Sequence, residues 1–181
     1  MKLFRVFPHD PSAAENEIGG ALFVPPPSPL GRISNPPLYR ELYFSDSAGG
    51  AVGERFGFLP VWRDVDFLHP GGLRYSVTGY ELDAGAAIFS LDDVGALVTL
   101  GITSPSSVVT RERSVTQDWA KVIFQMGRYA GARWWSYYSP QWTSFGLWDH
   151  AGIRHIGPPE PLAITHEAVK LAARTIVRQL Y

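Results

Sequence analysis

Residues 24–37, VPPPSPLGRISNPP, carry proline at six of fourteen positions. Proline lacks an N–H donor, fixes its own φ and pushes the residue before it out of the helical region. This stretch can be neither helix nor central strand, so the chain has to organise regular structure on either side of a long stiffened loop. Before it, LFRVF (3–7) alternates apolar and polar positions and predicts an opening strand; after it, LYFS (42–45) predicts a second, short strand. Beyond the turn-forming SDSAGG, Ala48, Val52 and Phe56 recur at helical spacing and predict a core-facing helix, with Glu54 about half a turn off that stripe.

The middle of the chain predicts short strands joined by glycine turns, GGLRYSVTGYELDAGAAIF and GALVTLGI, with SLDD opening a helical turn between them. Ser114 and Gln117 form a capping-box pattern ahead of Trp119, Val122, Ile123 and Met126, a helix that Gly127 would stop. ARWWSYY (132–138) and SFGLWDH (144–150) read as strands. GPPEP reads as a breaker, and a last helix is expected from about Thr165, with Val169, Ala172, Ile176 and Leu180 on one face and Arg174 and Arg178 near its negative end. Strands and helices mix without regular βαβ alternation and without an internal repeat, which predicts one α+β domain over residues 1–181.

Composition removes several kinds of chemistry. Sixteen Lys and Arg against 17 Asp and Glu leave a net charge of −1, so there is no broad basic footprint for nucleic acid or an anionic membrane. The absence of cysteine excludes disulfides, thiolate catalysis and Cys-ligated zinc. His9, His69, His150, His155 and His166 show no metal-binding spacing. No nucleophile elbow or phosphate-binding P-loop occurs. No apolar run reaches the length of a signal peptide or a membrane span, and the expectation is a soluble, cytoplasmic protein.

The residues left over are individually ambiguous. Gly49, Gly50 and Gly53 each cost about 1 kcal/mol relative to alanine inside a helix. Close approach of the backbone to a ligand or to another backbone would account for them, with Glu54 pointing into a cleft; the alternative is a solvated glutamate beside a loose turn. Arg32 sits where a guanidinium can be held for bidentate contact with phosphate, or is an ordinary surface arginine. Tyr43 and Ser136 can be core and a local hydrogen-bond partner. Six tryptophans are read as core rather than as a sugar-stacking platform.

Taken in order, however, FRVF, GRISNPP, LYFSDSAGGAVGE, VTQDWAKVIFQMG, GARWWS and FGLWD resemble the RES domain, a bacterial family named for its Arg, Glu and Ser. The most specific parts are the LY strand with a glutamate eleven residues on and the later Gly-x-Arg-Trp-x-Ser. The resemblance implies an ADP-ribosyltransferase-like mixed sheet with flanking helices. It also implies an NAD phosphorylase or glycohydrolase that uses NAD as substrate, with inorganic phosphate as a possible co-substrate and no resident cofactor or metal. Protein ADP-ribosylation and a catalytically inactive nucleotide- or partner-binding module are the alternatives. The family's partner is an Xre-like antitoxin, which implies a toxin role and a homo-oligomer or hetero-oligomer. Carried over by position, Glu54, Arg32 and Ser136 are the catalytic candidates, and Tyr43, Arg32 and the early Arg5 the substrate-binding ones. Tyr137 stands where the family often has a basic residue, so the acceptor stays open among phosphate, water and a protein side chain. An ordinary glycosidase pairing Glu54 with Glu81 or Asp83 is a further alternative.

Overall fold

The computed structural model describes residues 1–181. Its elements are β1 (Lys2–His9), β2 (Leu42–Ser45), α1 (Ala48–Phe56), β3 (Val61–Trp62), a 3₁₀ turn (Asp64–Phe67), β4 (Arg74–Leu82), β5 (Ile88–Ser90), α2 (Val94–Thr99), α3 (Ser106–Val109), α4 (Arg113–Gln125), β6 (Gly131–Trp135), β7 (Thr143–Leu147), β8 (Ile153–Pro161), α5 (Glu167–Thr175) and β9 (Gln179–Leu180). Seven strands form one mixed sheet in the order β5-β6-β7-β2-β1-β4-β8, and β3 and β9 make a small parallel pair. Only β5 and β6 run parallel in the large sheet; its other neighbours are antiparallel.

Strand alternation divides the core between the two sheet faces. Leu3 and Phe7 of β1 join Leu42, Phe44, Tyr80, Phe145 and Leu147 on one face. Phe4 and Val6 point the other way, toward a cluster built with α1 and α5 from Val52, Phe56, Trp142, Val169 and Ala172. On that same face, Ala132 and Trp134 of β6 pack with Trp119 and Ile123 of α4 and with Ile33. Between these two helical clusters the sheet shows small residues: Ser45 of β2 lies opposite Ser144 of β7, which lies opposite Trp134. This seam is where the candidate residues gather.

The first two strands and α1 form as expected, and Ser47 caps α1 by accepting from Gly50 N. Several expectations differ. GALVTLGI is helix rather than strand, because the Asp93 carboxylate caps Ala96 N and starts α2. The capping box does not form: Glu112 precedes α4, Ser114 lies inside it, and the Gln117 amide donates to Pro29 O and Gly31 O in the proline loop. Gly127 does adopt a left-handed φ of 69° after that helix. β6 ends at Trp135, so Ser136 begins a turn rather than sitting within a strand, and β7 ends at Leu147. GPPEP is part of β8, whose place at the sheet edge lets prolines go without ladder donors. The last helix ends at Thr175, and Leu180 belongs to β9. Trp62, Trp119, Trp134 and Trp142 are buried, in keeping with a core role.

Candidate active site

The α1 glycines have a packing explanation. A Cβ at Gly53 would collide with the Trp142 indole, one at Gly50 would meet Ser45 and Trp142, and one at Gly49 would press on Leu171 of α5. Glycine therefore brings α1 down onto the sheet and onto other side chains, not onto a ligand. This close seating sets the depth of Glu54, which is partly buried and accepts a hydrogen bond from Ser144 Oγ at 3.0 Å.

Arg32 reaches the same seam from the proline loop. Its Nη1 donates to Val108 O (3.0 Å) and Thr110 O (2.8 Å), and its Nη2 to Val109 O (3.3 Å), at the end of α3. Three of the five guanidinium N–H donors are spent, which leaves two for a ligand. Burial and the neighbouring Arg113 push its pKa down to about 10, while the nearby Glu54 carboxylate acts in the opposite direction. A guanidinium at that value is fully charged at neutral pH; the shift records how poorly water and neighbours solvate it.

Tyr43 is half-buried, and its hydroxyl accepts from Ile33 N at 3.1 Å. Burial pushes its ionisation up, with the Glu41 carboxylate adding to the effect. The hydroxyl is thus committed to the loop, and the ring is what remains for a ligand. Ser136 is buried, and its Oγ accepts from Tyr138 N at 3.1 Å. Tyr138 is half-buried and close enough for Glu54, Arg111 and Arg178 to act on its ionisation, and it acts in turn on Arg32.

Arg32, Tyr43, Glu54 and Ser136 are therefore brought to one seam, and Arg5 is not. Arg5 shares the opposite sheet face with Leu3 and Phe7, where its Nη1 and Nη2 donate to Ala21 O and Phe23 O, each at 3.1 Å. Burial pushes its pKa down, and the adjacent Tyr80 opposes that. A guanidinium enclosed in this way ties the incoming loop to the sheet and has no route to the seam.

Sequence reasoning missed Ser144, Tyr138 and Arg113. Arg113 Nε donates to Leu30 O at 3.2 Å, while its buried Nη1 has no partner. None of Arg32, Arg111, Arg113 and Arg178 belongs to an ion pair, nor does Glu54. Glu54 acts on Arg32 and Arg113 lies beside Arg32, so one carboxylate stands near two guanidinium groups without a carboxylate partner, an arrangement suited to an anionic ligand, while Arg178 is spent on the Gly57, Ile176 and Val177 carbonyls. A groove of about 460 Å³ borders the Val109–Arg111 segment that holds Arg32, although none of Arg32, Tyr43, Glu54 and Ser136 lines it. A second cavity of about 310 Å³ lies over β1, β4 and β8 and includes none of these residues.

The glycosidase pairing finds no geometry. Glu81 is ion-paired with Arg154 on β4, three strands from the β7 serine that binds Glu54. At about 4.8 Å per strand that is roughly 14 Å, beyond the separation of a catalytic carboxylate pair. No group of three or more His, Asp or Glu is placed to hold a metal, and no helix is long and apolar enough to cross a membrane.

Among protein families, the chain matches the model of the RES domain over residues 2–167. No curated protein matches it. Among solved structures it is similar to the MbcT–MbcA toxin–antitoxin complex of M. tuberculosis, with 12% identity, a TM-score of 0.59, and coverage of 97% of this chain and 88% of that one. At that identity the likeness is one of fold.

Proposed function

The chain belongs to the RES domain family, and from that premise we propose that it degrades NAD by cleaving the bond between nicotinamide and ribose, as the toxin of a toxin–antitoxin pair. The observation that carries this reading is the lone Glu54 carboxylate, held by Ser144 and set against guanidinium groups that lack any carboxylate partner. The likeness in fold to a protein described as part of a toxin–antitoxin complex supports the same role.

When the C1′–N1 bond breaks, nitrogen keeps the electron pair and the cationic pyridinium leaves as neutral nicotinamide, so no acid is needed. Positive charge develops on the ribose instead, and a preorganised carboxylate stabilises it in a site that excludes water. Glu54 takes that role. Water then bonds to C1′ and releases a proton, giving ADP-ribose, or phosphate bonds there and gives ADP-ribose 1″-phosphate. Arg32 uses its two unspent donors on the diphosphate or the incoming phosphate, the Tyr43 ring packs near nicotinamide, and the Ser136 hydroxyl donates its proton to ribose or amide. Transfer to a protein side chain would use the same bond cleavage with another acceptor.

Purified protein incubated with NAD, with and without phosphate, is expected to release nicotinamide together with ADP-ribose or its 1″-phosphate, identified by mass. Intact NAD after prolonged incubation defeats the reading. Expression should arrest growth, and a co-expressed Xre-like antitoxin should restore it. Normal growth with an active, uninhibited enzyme counts against the toxin role.

A further inference from the structure

Tyr138 lies in the YYSPQWTS segment, outside the motifs that identify the family, yet four separate features converge on it. Its backbone N–H is fixed by Ser136 Oγ at 3.1 Å. Its ring is seated against the end of α1 where residue 57 is glycine; a Cβ there would lie 2.8 Å from the ring's Cε1. The ring also packs on the α1/α5 cluster. Its hydroxyl makes no hydrogen bond within the protein, whereas Tyr43, the other tyrosine of the seam, has its hydroxyl engaged. Gly57 stands one turn beyond Glu54 at the end of α1 and its carbonyl accepts from Arg178 Nε and Nη2 at 3.2 and 2.7 Å, so the ring is seated near both charges.

A tyrosine whose backbone and ring are both fixed, and whose hydroxyl is left unpaired among charges, is preorganised to donate to something absent from the protein itself. We propose that the Tyr138 hydroxyl is a substrate-binding donor that contacts the dinucleotide where the ribose joins its phosphate, between the carboxylate at the ribose and the guanidinium groups at the diphosphate. This rests on the NAD-cleaving reading above and adds to it a contact that the products ADP-ribose and ADP-ribose 1″-phosphate retain. Burial and Glu54 both raise the hydroxyl's ionisation, which keeps it protonated as a donor at neutral pH.

Tyr138→Phe removes the oxygen and keeps the ring that packs on α1. Loss of a hydrogen bond to a charged group weakens binding by about tenfold or more, so the variant is expected to raise KM for NAD by about tenfold and to weaken ADP-ribose binding, read by calorimetry, by a similar factor. Its kcat should stay within about threefold, because the contact exists before and during bond cleavage. Tyr181→Phe serves as the control; that tyrosine is exposed at the chain's end beyond β9, and its variant should match the parent. An active parent whose Tyr138→Phe variant keeps its KM and its ADP-ribose affinity overturns this inference and leaves the activity standing. A fall in kcat with unchanged ADP-ribose affinity also overturns it, since it places the hydroxyl on the departing nicotinamide. A parent that neither cleaves nor binds NAD defeats the functional reading and this contact together.

Discussion

Arg5 and Arg32 are held alike and left in different states. Each guanidinium donates to backbone carbonyls of another segment, Ala21 and Phe23 in the loop after β1 in one case and Val108, Val109 and Thr110 at the end of α3 in the other. Each has its pKa pushed down, chiefly by burial. Around Arg5 the environment is closed: it lies among Leu3, Phe7 and Tyr80, and the Tyr80 hydroxyl donates to the same Ala21 carbonyl at 2.7 Å. Around Arg32 it is open to other charged groups: Arg113 lies beside it and the Glu54 carboxylate acts on it. The difference teaches that a buried arginine is a candidate for ligand binding when charged groups from other elements meet it in a seam, and a structural tie when only carbonyls and aromatics enclose it.

The largest expected effect tests the charge that faces Arg32. Glu54→Gln keeps the shape and can still accept from Ser144, but loses the negative charge proposed to stabilise the ribose. Loss of one preorganised electrostatic contact costs about 2.7 to 4 kcal/mol, or roughly a hundredfold to a thousandfold in kcat. NAD binding should survive far better than turnover, because the ground state carries less charge at the ribose carbon. A folded variant, checked by circular dichroism, that consumes NAD at the parent rate removes Glu54 from the chemistry.

The next effect should appear in stability and nowhere else. Arg5→Met fills much of the same volume but takes the donor from the Phe23 carbonyl and leaves the Ala21 carbonyl to Tyr80 alone, at a cost of about 1 to 3 kcal/mol. For a domain of this size that is a fall in Tm of roughly 2 to 12 °C. The folded fraction should keep the parent KM for NAD. A raised KM at unchanged Tm would erase the distinction between the two arginines and return Arg5 to the substrate-binding set. Arg32→Ala should do the converse, raising KM for NAD or phosphate about tenfold to a hundredfold, with a smaller change in Tm, since it removes contacts made before bond cleavage as well as during it.

Both arginines were visible in the sequence, but the difference between them was not. Motif order along the chain brought Arg32, Tyr43, Glu54 and Ser136 forward, and local periodicity gave β1, β2 and α1, because each of those elements is written within a dozen residues of chain. What failed depends on distant partners. Gly50 and Gly53 looked like room for a ligand, yet the space belongs to Trp142, almost ninety residues away. GALVTLGI is a short apolar run whose helical fate was decided by the Asp93 cap. The prolines of GPPEP signalled a break, but an edge strand tolerates them. Arg5 was carried over by position alone, and only the sheet's alternation reveals that it faces away from the seam.

Ser144 is the smallest and sharpest case, because no local pattern singles out one serine in TSFGL. Its place follows from register: it pairs with Ser45 on one side and Trp134 on the other, which sets its hydroxyl beneath α1 and within 3.0 Å of Glu54 Oε1. Acting through Glu54 rather than on the substrate, it is a positioning residue, and its removal should cost less than removal of the charge itself. Loss of one hydrogen bond to a charged group is worth about 1.5 kcal/mol at the low end, somewhat more than a tenfold change. Part of that is recovered if Glu54 stays near its place, so Ser144→Ala is expected to lower kcat about fivefold. KM for NAD should change little, because Arg32, the proposed diphosphate contact, is untouched. Ser144→Thr, which restores the hydroxyl on a strand position that suits a β-branched side chain, should recover most of the rate. A drop in kcat that Thr does not rescue, or a loss confined to KM, would show that Ser144 shapes the seam by packing and leaves Glu54 to orient itself.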